Sequence, residues 1–205
     1  MIMFEVCQRM RLMVAVFCTV TAVTVAAVSE ASAFKPMTLP TGISVEVPAQ
    51  WSVQSPEKSP DFSGADAANK RATLLTGFSV PKGALLRISL RPTSRLTAAR
   101  LGQLKPDSLA ALNDAFFQRM KTGEKEGSPQ VISMREPAVV SVSGHPALRL
   151  GYLRAGVSDA QENWEVVQLQ VPLADRTVHV TMSWRADHDA TWRPMMERVA
   201  GSLRF

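Results

Sequence analysis

Apolar and polar residues alternate along most of this chain, and the period lengthens to a helical one in only two places. Strict alternation marks a strand with one face buried and one in water. From Gly42 to Pro48, Ile43, Val45 and Val47 share a side, Pro48 ends the run, and Trp51 follows. Thr73–Val80 predicts a second strand, with turn residues at Pro81-Lys82-Gly83. Leu86, Ile88 and Leu90 predict a third, with Arg87, Ser89 and Arg91 on its other side. Residues 55–71 are rich in Ser, Pro, Asp, Gly and Lys and read as a loop.

Between Ser94 and Glu126 the period nears 3.6. Leu109, Leu112, Phe116 and Met120 recur at helical spacing, Pro106 and Asp107 suit a first turn, and Gly123 suits the stop. Phe116 and Phe117 read as core residues of a helix laid on a sheet. Alternation then returns in Val131–Met134 and Ala138–Ser143. A turn at Gly144-His145-Pro146 leads into Ala147–Arg154, where Leu148, Leu150 and Tyr152 share a face. Trp164–Val171 and Thr177–Trp184 predict a hairpin closed across Pro172–Asp175. Its inward rows are Val167, Leu169 and Val171 against Val178, Val180, Met182 and Trp184. Asp187 and Asp189 mark a helix start. Trp192, Met195, Met196, Val199 and Leu203 supply that helix's buried stripe. Strands, helix, strands, helix, with short connections, define an α+β domain with a mostly antiparallel sheet and helices packed on it.

The first 33 residues follow a different logic. Arg9 and Arg11 precede the uncharged, mostly apolar run Leu12–Val28, and Ala31-Ser32-Ala33 supplies small residues before Phe34. That order predicts a secretory signal peptide, 1–33, cleaved after Ala33 to release one globular domain, 34–205. The run falls short of the roughly 20 residues a membrane span needs, so no stable span is expected after cleavage. Phe17 occupies the position where a lipid-modified Cys18 would need a small neighbour. Cys7 and Cys18 are the only cysteines and both lie in this segment. The exported domain is therefore expected to lack disulfides, thiolate zinc and a cysteine nucleophile. A periplasmic or extracellular location follows.

Two short segments carry a family resemblance. Val45-Glu-Val-Pro-Ala-Gln-Trp51 resembles the opening of PsbP-like domains, and Val142-Ser-Gly-His-Pro-Ala147 resembles their strand–turn–strand segment. The closing Ser202-Leu-Arg-Phe205 also matches that pattern. The superfamily includes the photosystem II extrinsic subunit PsbP, Ran-binding Mog proteins and bacterial DcrB-like envelope proteins. The resemblance covers residues 40–205. It implies an α/β/α sandwich and a binding or assembly role, and it brings no catalytic residues with it.

Chemistry-bearing residues are sparse. His145, His179 and His188 have no metal-ligand spacing, no Gly-x-Ser-x-Gly elbow is present, and no phosphate-binding glycine loop occurs. No cofactor or metal is expected. The formal charge of +5 falls wholly on the exported domain, since Glu5, Arg9, Arg11 and Glu30 cancel. It favours an anionic envelope component or an acidic envelope protein as partner. Without basic runs interleaved with aromatics, nucleic acid is not expected. Arg87, Arg91 and Arg149, with Gln168, Gln170 and His179, are expected to form one cationic sheet face suited to carboxylate or phosphate. The functional expectation is an exported, non-enzymatic accessory protein. The alternative is a small hydrolase or ligand-binding enzyme with its site across the sheet.

Overall fold

The computed structural model describes residues 33–55, 72–79, 83–91, 96–122, 130–156, 159 and 161–205. They belong to the unit Ser32–Phe205. The predicted export segment (but for Ala33), the 55–71 loop beyond Ser55, and the Gly123 helix stop lie outside the described residues.

Strand β1 (Phe34–Thr38) pairs with β2 (Ser44–Pro48) as a separate antiparallel hairpin. The main sheet comprises β3 (Ser52–Gln54), β4 (Ala72–Phe78), β5 (Ala84–Arg91), β6 (Val131–Met134), β7 (Ala138–Val142), β8 (His145–Ala155), β9 (Asn163–Pro172) and β10 (Thr177–Arg185). Their order is β3-β4-β5-β10-β9-β8, and β6 and β7 lie end to end along the outer edge of β8. Every pairing is antiparallel. Among the described residues, three α-helices complete the fold: α1 (Ala98–Leu101), α2 (Pro106–Thr122) and α3 (Asp189–Ser202).

Register assigns each side chain to a face, because alternate residues of a strand point the same way. Val180 lies between Ile88 and Leu169, and Val178 between Leu90 and Val171. This front face is covered by Met196 and Val199 of α3, by Leu203, and by Val45 and Val47 of the hairpin. Full burial of each such side chain is worth about 1.5–3 kcal/mol, so the front layer is the fold's main source of stability. The back face is apolar only toward the β8 end. There Leu148 and Leu150 pack with Leu101 of α1, and Tyr152 and Val166 pack beneath Phe116 and Met120 of α2. Helices thus cover both faces, each over a different part of the sheet.

The predicted β9–β10 hairpin forms with the expected inward rows. Trp184 is buried as expected, whereas Trp192 is only partly buried, its ring edge-on to buried Trp51 with centroids 6.1 Å apart. Three elements departed from expectation. Strand β1 contains Lys35 and Pro36 and shows no alternation, and β3 is too short for a period to register. The predicted helix forms as α2, starting at Pro106 as read, and a separate one-turn helix precedes it, α1, capped by the Thr97 hydroxyl, which accepts from Arg100 N at 3.2 Å. The turn before β8 is Ser143-Gly144, with φ of 50° and 80°. Positive φ at both central residues suits the twist of a two-residue hairpin, so His145 and Pro146 belong to the strand. No helix among the described residues is long and apolar enough to cross a membrane.

Candidate functional site

The site is set by how α3 lands on the front face. A 3-10 turn, Ala186–His188, reverses the chain after β10. The buried indole of Trp184 then donates from Nε1 to Asp189 Oδ1 at 2.8 Å. Asp189 also accepts from Arg193 Nε and Nη2, at 2.9 and 3.0 Å. The Arg193 guanidinium holds the Asp189 carboxyl below the usual carboxylate range, partial burial opposes this, and the Trp184 N–H adds to the depression. Arg193 also lies over the Trp184 ring, 5.8 Å from its centroid. Nearby, the buried carboxylate of Glu165 pairs with Arg135 and raises the affinity of that guanidinium for its proton. Gly151 lets Arg135 cross the sheet there, since a Cβ at 151 would stand 3.1 Å from the Arg135 Cβ.

Toward the β7 end, α3 no longer seals the sheet. A cavity of about 410 Å³ opens between them. Its floor is apolar, made by Val167, Leu169, Met182 and Trp184. Val140 and Val142 of β7 form one side, and Arg193, Met196 and Glu197 of α3 form the other. Arg149 completes the lining. It is exposed, and among the described residues it has no hydrogen bond or ion pair. A second cavity, about 540 Å³, lies between the β1–β2 hairpin and α3. Its charged groups already have partners: Arg198 faces Glu46 at 3.5 Å, and Arg204 Nη1 donates to Ser143 Oγ and to the Gly201 carbonyl, each at 2.9 Å. The front groove has the uncompensated group, and it is the better candidate.

The expected single cationic face does not form. Arg87 pairs across to Thr181, which pairs to Gln168, which pairs to Leu150. Arg87, Arg91, His179, Gln168 and Gln170 therefore share the back face, while Arg149 points to the front. The cause is the sheet's divided burial. At β5 the apolar row faces α3, whereas at β8 Leu148 and Leu150 face α1 and α2. The polar sides of the two strands are consequently opposite. Gln168 is turned to local use and donates to the Tyr152 hydroxyl at 3.3 Å.

The histidines stay apart. His145 stacks edge-on with Phe205 at 5.4 Å, His179 lies on the back face of β10, and exposed His188 sits 3.8 Å from Asp187. Among the described residues there is no group of three metal-ligating side chains. Arg193 and Glu197 had not been singled out in the sequence. The spacing of Asp189 and Arg193, one helical turn, was the available signal for the first of them.

No protein-family model matches the chain, and no curated protein matches it in sequence. Solved structures of similar layout do exist. Cyanobacterial PsbP (CyanoP) from Synechocystis is 12% identical, with a TM-score of 0.48 over 84% of this chain and 92% of that one. LpqN of Mycobacterium tuberculosis, involved in cell envelope biogenesis, is 14% identical, with a TM-score of 0.45 over 85% and 86%. The Ran-binding protein Mog1p of Saccharomyces cerevisiae is 9% identical, with a TM-score of 0.42 over 84% and 95%. PsbP and Mog proteins are both among the groups named from the sequence motifs. At these values the likeness is one of layout.

Proposed function

We propose that this chain is an exported, non-enzymatic accessory protein that binds a protein or other envelope component through the front groove. It acts in the periplasm or outside the cell, as residues 34–205, after removal of residues 1–33. The observation that carries this reading is the pairing of an apolar floor with the uncompensated guanidinium of Arg149. An apolar group entering the groove gains roughly 25 cal/mol for each Å² removed from water. An exposed ion pair adds only about 0–1 kcal/mol. The floor therefore supplies affinity, and Arg149 selects partners that carry a carboxylate or phosphate. Arg87 and Arg91 offer a separate basic pair on the back face, independent of the groove.

A photo-cross-linking residue placed at Glu197, which is exposed and lines the groove, tests this in the living cell. The expected result is a discrete adduct with one envelope protein or component, weakened when Arg149→Glu is added. Adducts that form from position 87 on the back face and not from 197 would refute the groove as the contact surface.

A further inference from the structure

The wall of the groove formed by β7 is also an open edge of the sheet. Among the described residues, β7 pairs with β8 alone. Edge strands in soluble proteins are usually protected by charge, proline, a bulge or a cover, because their free N–H and C=O groups otherwise recruit another strand. The edges of this sheet differ in that respect. β3 is three residues long, and Ser52 and Gln54 flank its centre. β6 carries a register shift between Val131 and Ser133, which twists it from pairing geometry. β7 reads Ala-Val-Val-Ser-Val, with no charge, no proline and no shift in register, and its Val139 side chain is 36% exposed.

The tight turn decides which backbone groups are free. A two-residue turn makes its closing pair, Val142 and His145, a hydrogen-bonded one, and bonded and non-bonded pairs then alternate. Ala138, Val140 and Val142 spend their groups on β8, so the N–H and C=O of Val139 and Ser141 point outward. No described residue takes these outward bonds. Val140 and Val142 meanwhile place their side chains on the groove. A strand laid outside β7 would set every second side chain beside them, at the groove mouth. Arg149 lies opposite Ala138, one strand inward. The added strand would be about 10 Å from it, two strand spacings, a gap that an arginine and an acidic side chain bridge together.

We propose that β7 accepts an extended segment of another polypeptide as an added strand, with alternate apolar side chains entering the groove and an acidic side chain meeting Arg149. This rests on the groove reading above and narrows its partner to a polypeptide, since a lipid or sugar has no repeating amide to answer Val139 and Ser141. A second copy of this chain fits less well. β7 contains no acid to meet the partner copy's arginine, and two domains of the same positive charge repel.

The probe is the peptide acetyl-Asp-Thr-Val-Thr-Val-Thr-Asp-amide, whose acids and valines share one face in either strand direction. Amide exchange of the purified protein is followed by NMR with and without it. The expected result is saturable binding, with the Val139 and Ser141 amides slowing about tenfold or more. Two N-methylated peptides, modified at the valines or at the threonines, separate strand addition from side-chain capture. One of them should lose binding and the other keep it, because alternate N–H groups face β7. Arg149→Glu should weaken the acidic peptide and spare a version with lysines in place of its acids. Val139→Lys should weaken both, while a melting curve like the wild type's shows that the fold is kept. Shifts on the groove residues with unchanged exchange at 139 and 141 would overturn strand addition and leave the groove reading intact. No saturable binding at millimolar peptide also overturns it, as does protection of these amides by raised protein concentration alone, which would assign β7 to a second copy.

Discussion

Trp184 and Asp189 are joined across the turn from the last strand to the last helix, the indole N–H donating to the carboxylate at 2.8 Å. The bond links two demands of the sequence: a tryptophan large enough to fill the front core, and an acid at a helix N-terminus. Trp184 is 2% exposed, so without the carboxylate its N–H loses the acceptor it has among the described residues. Asp189→Ala should cost about 1–3 kcal/mol, seen as a lower melting temperature.

The charge on Asp189 makes a second, separable contribution. Arg193 holds the folded carboxyl below its ordinary range. A depressed folded value means that this stabilisation is present above the unfolded value and lost as pH falls through the folded one. Asp189→Asn keeps an acceptor for the indole and removes the charge. The melting difference between wild type and Asp189→Asn should be largest at neutral pH and shrink as pH falls below the ordinary carboxylate range. A difference independent of pH would show that the ion pair with Arg193 contributes nothing.

The tryptophans should also differ in what they contribute. Trp184→Ala removes a fully buried ring and should cost about 3–5 kcal/mol. Trp192 is partly exposed and packs edge-on to Trp51, with Gly83 so close that a Cβ there would stand 3.3 Å from its ring. Trp192→Ala should therefore fall near or below the lower end of that range, about 2–3 kcal/mol. Urea unfolding of the two variants, compared at equal m-value, checks the order.

Much of this fold was legible in the sequence, for reasons tied to particular residues. Val178, Val180, Met182 and Trp184 alternate without interruption, and only a strand buries them all on one side. Leu109, Leu112, Phe116 and Met120 similarly admit only a helix. What failed was the joining of strands. Arg87 and Arg149 each sit opposite an apolar row, yet their own strands bury opposite faces of the sheet. Alternation fixes sides within a strand and carries no information on which face of a shared sheet those sides become. The groove was hidden for the same reason, since its lining comes from β7, β8, β9, β10 and α3. The two basic sites should thus act independently. Arg149→Glu should weaken groove binding, and Arg87→Glu with Arg91→Glu should leave it unchanged, as measured by cross-linking from Glu197.

The start of the described chain gives the last prediction. Phe34 opens β1, pairs opposite Pro48, and carries the Arg198 guanidinium 3.9 Å from its ring centroid. Among the described residues it is the first whose side chain packs. Ala33 contributes only its carbonyl, which accepts from Ala49 N at 2.7 Å. Cleavage after Ala33 would remove that one bond at an exposed site, where water replaces the acceptor at little cost. It would leave the Phe34–Arg198 contact whole. Cleavage even one residue later would remove the ring and the first pair of the hairpin. Intact-mass measurement and N-terminal sequencing of the protein from the envelope fraction should find Phe34 as the first residue. A chain that retains Met1, or one beginning at Cys18 with a lipid attached, would show that the segment serves as an anchor.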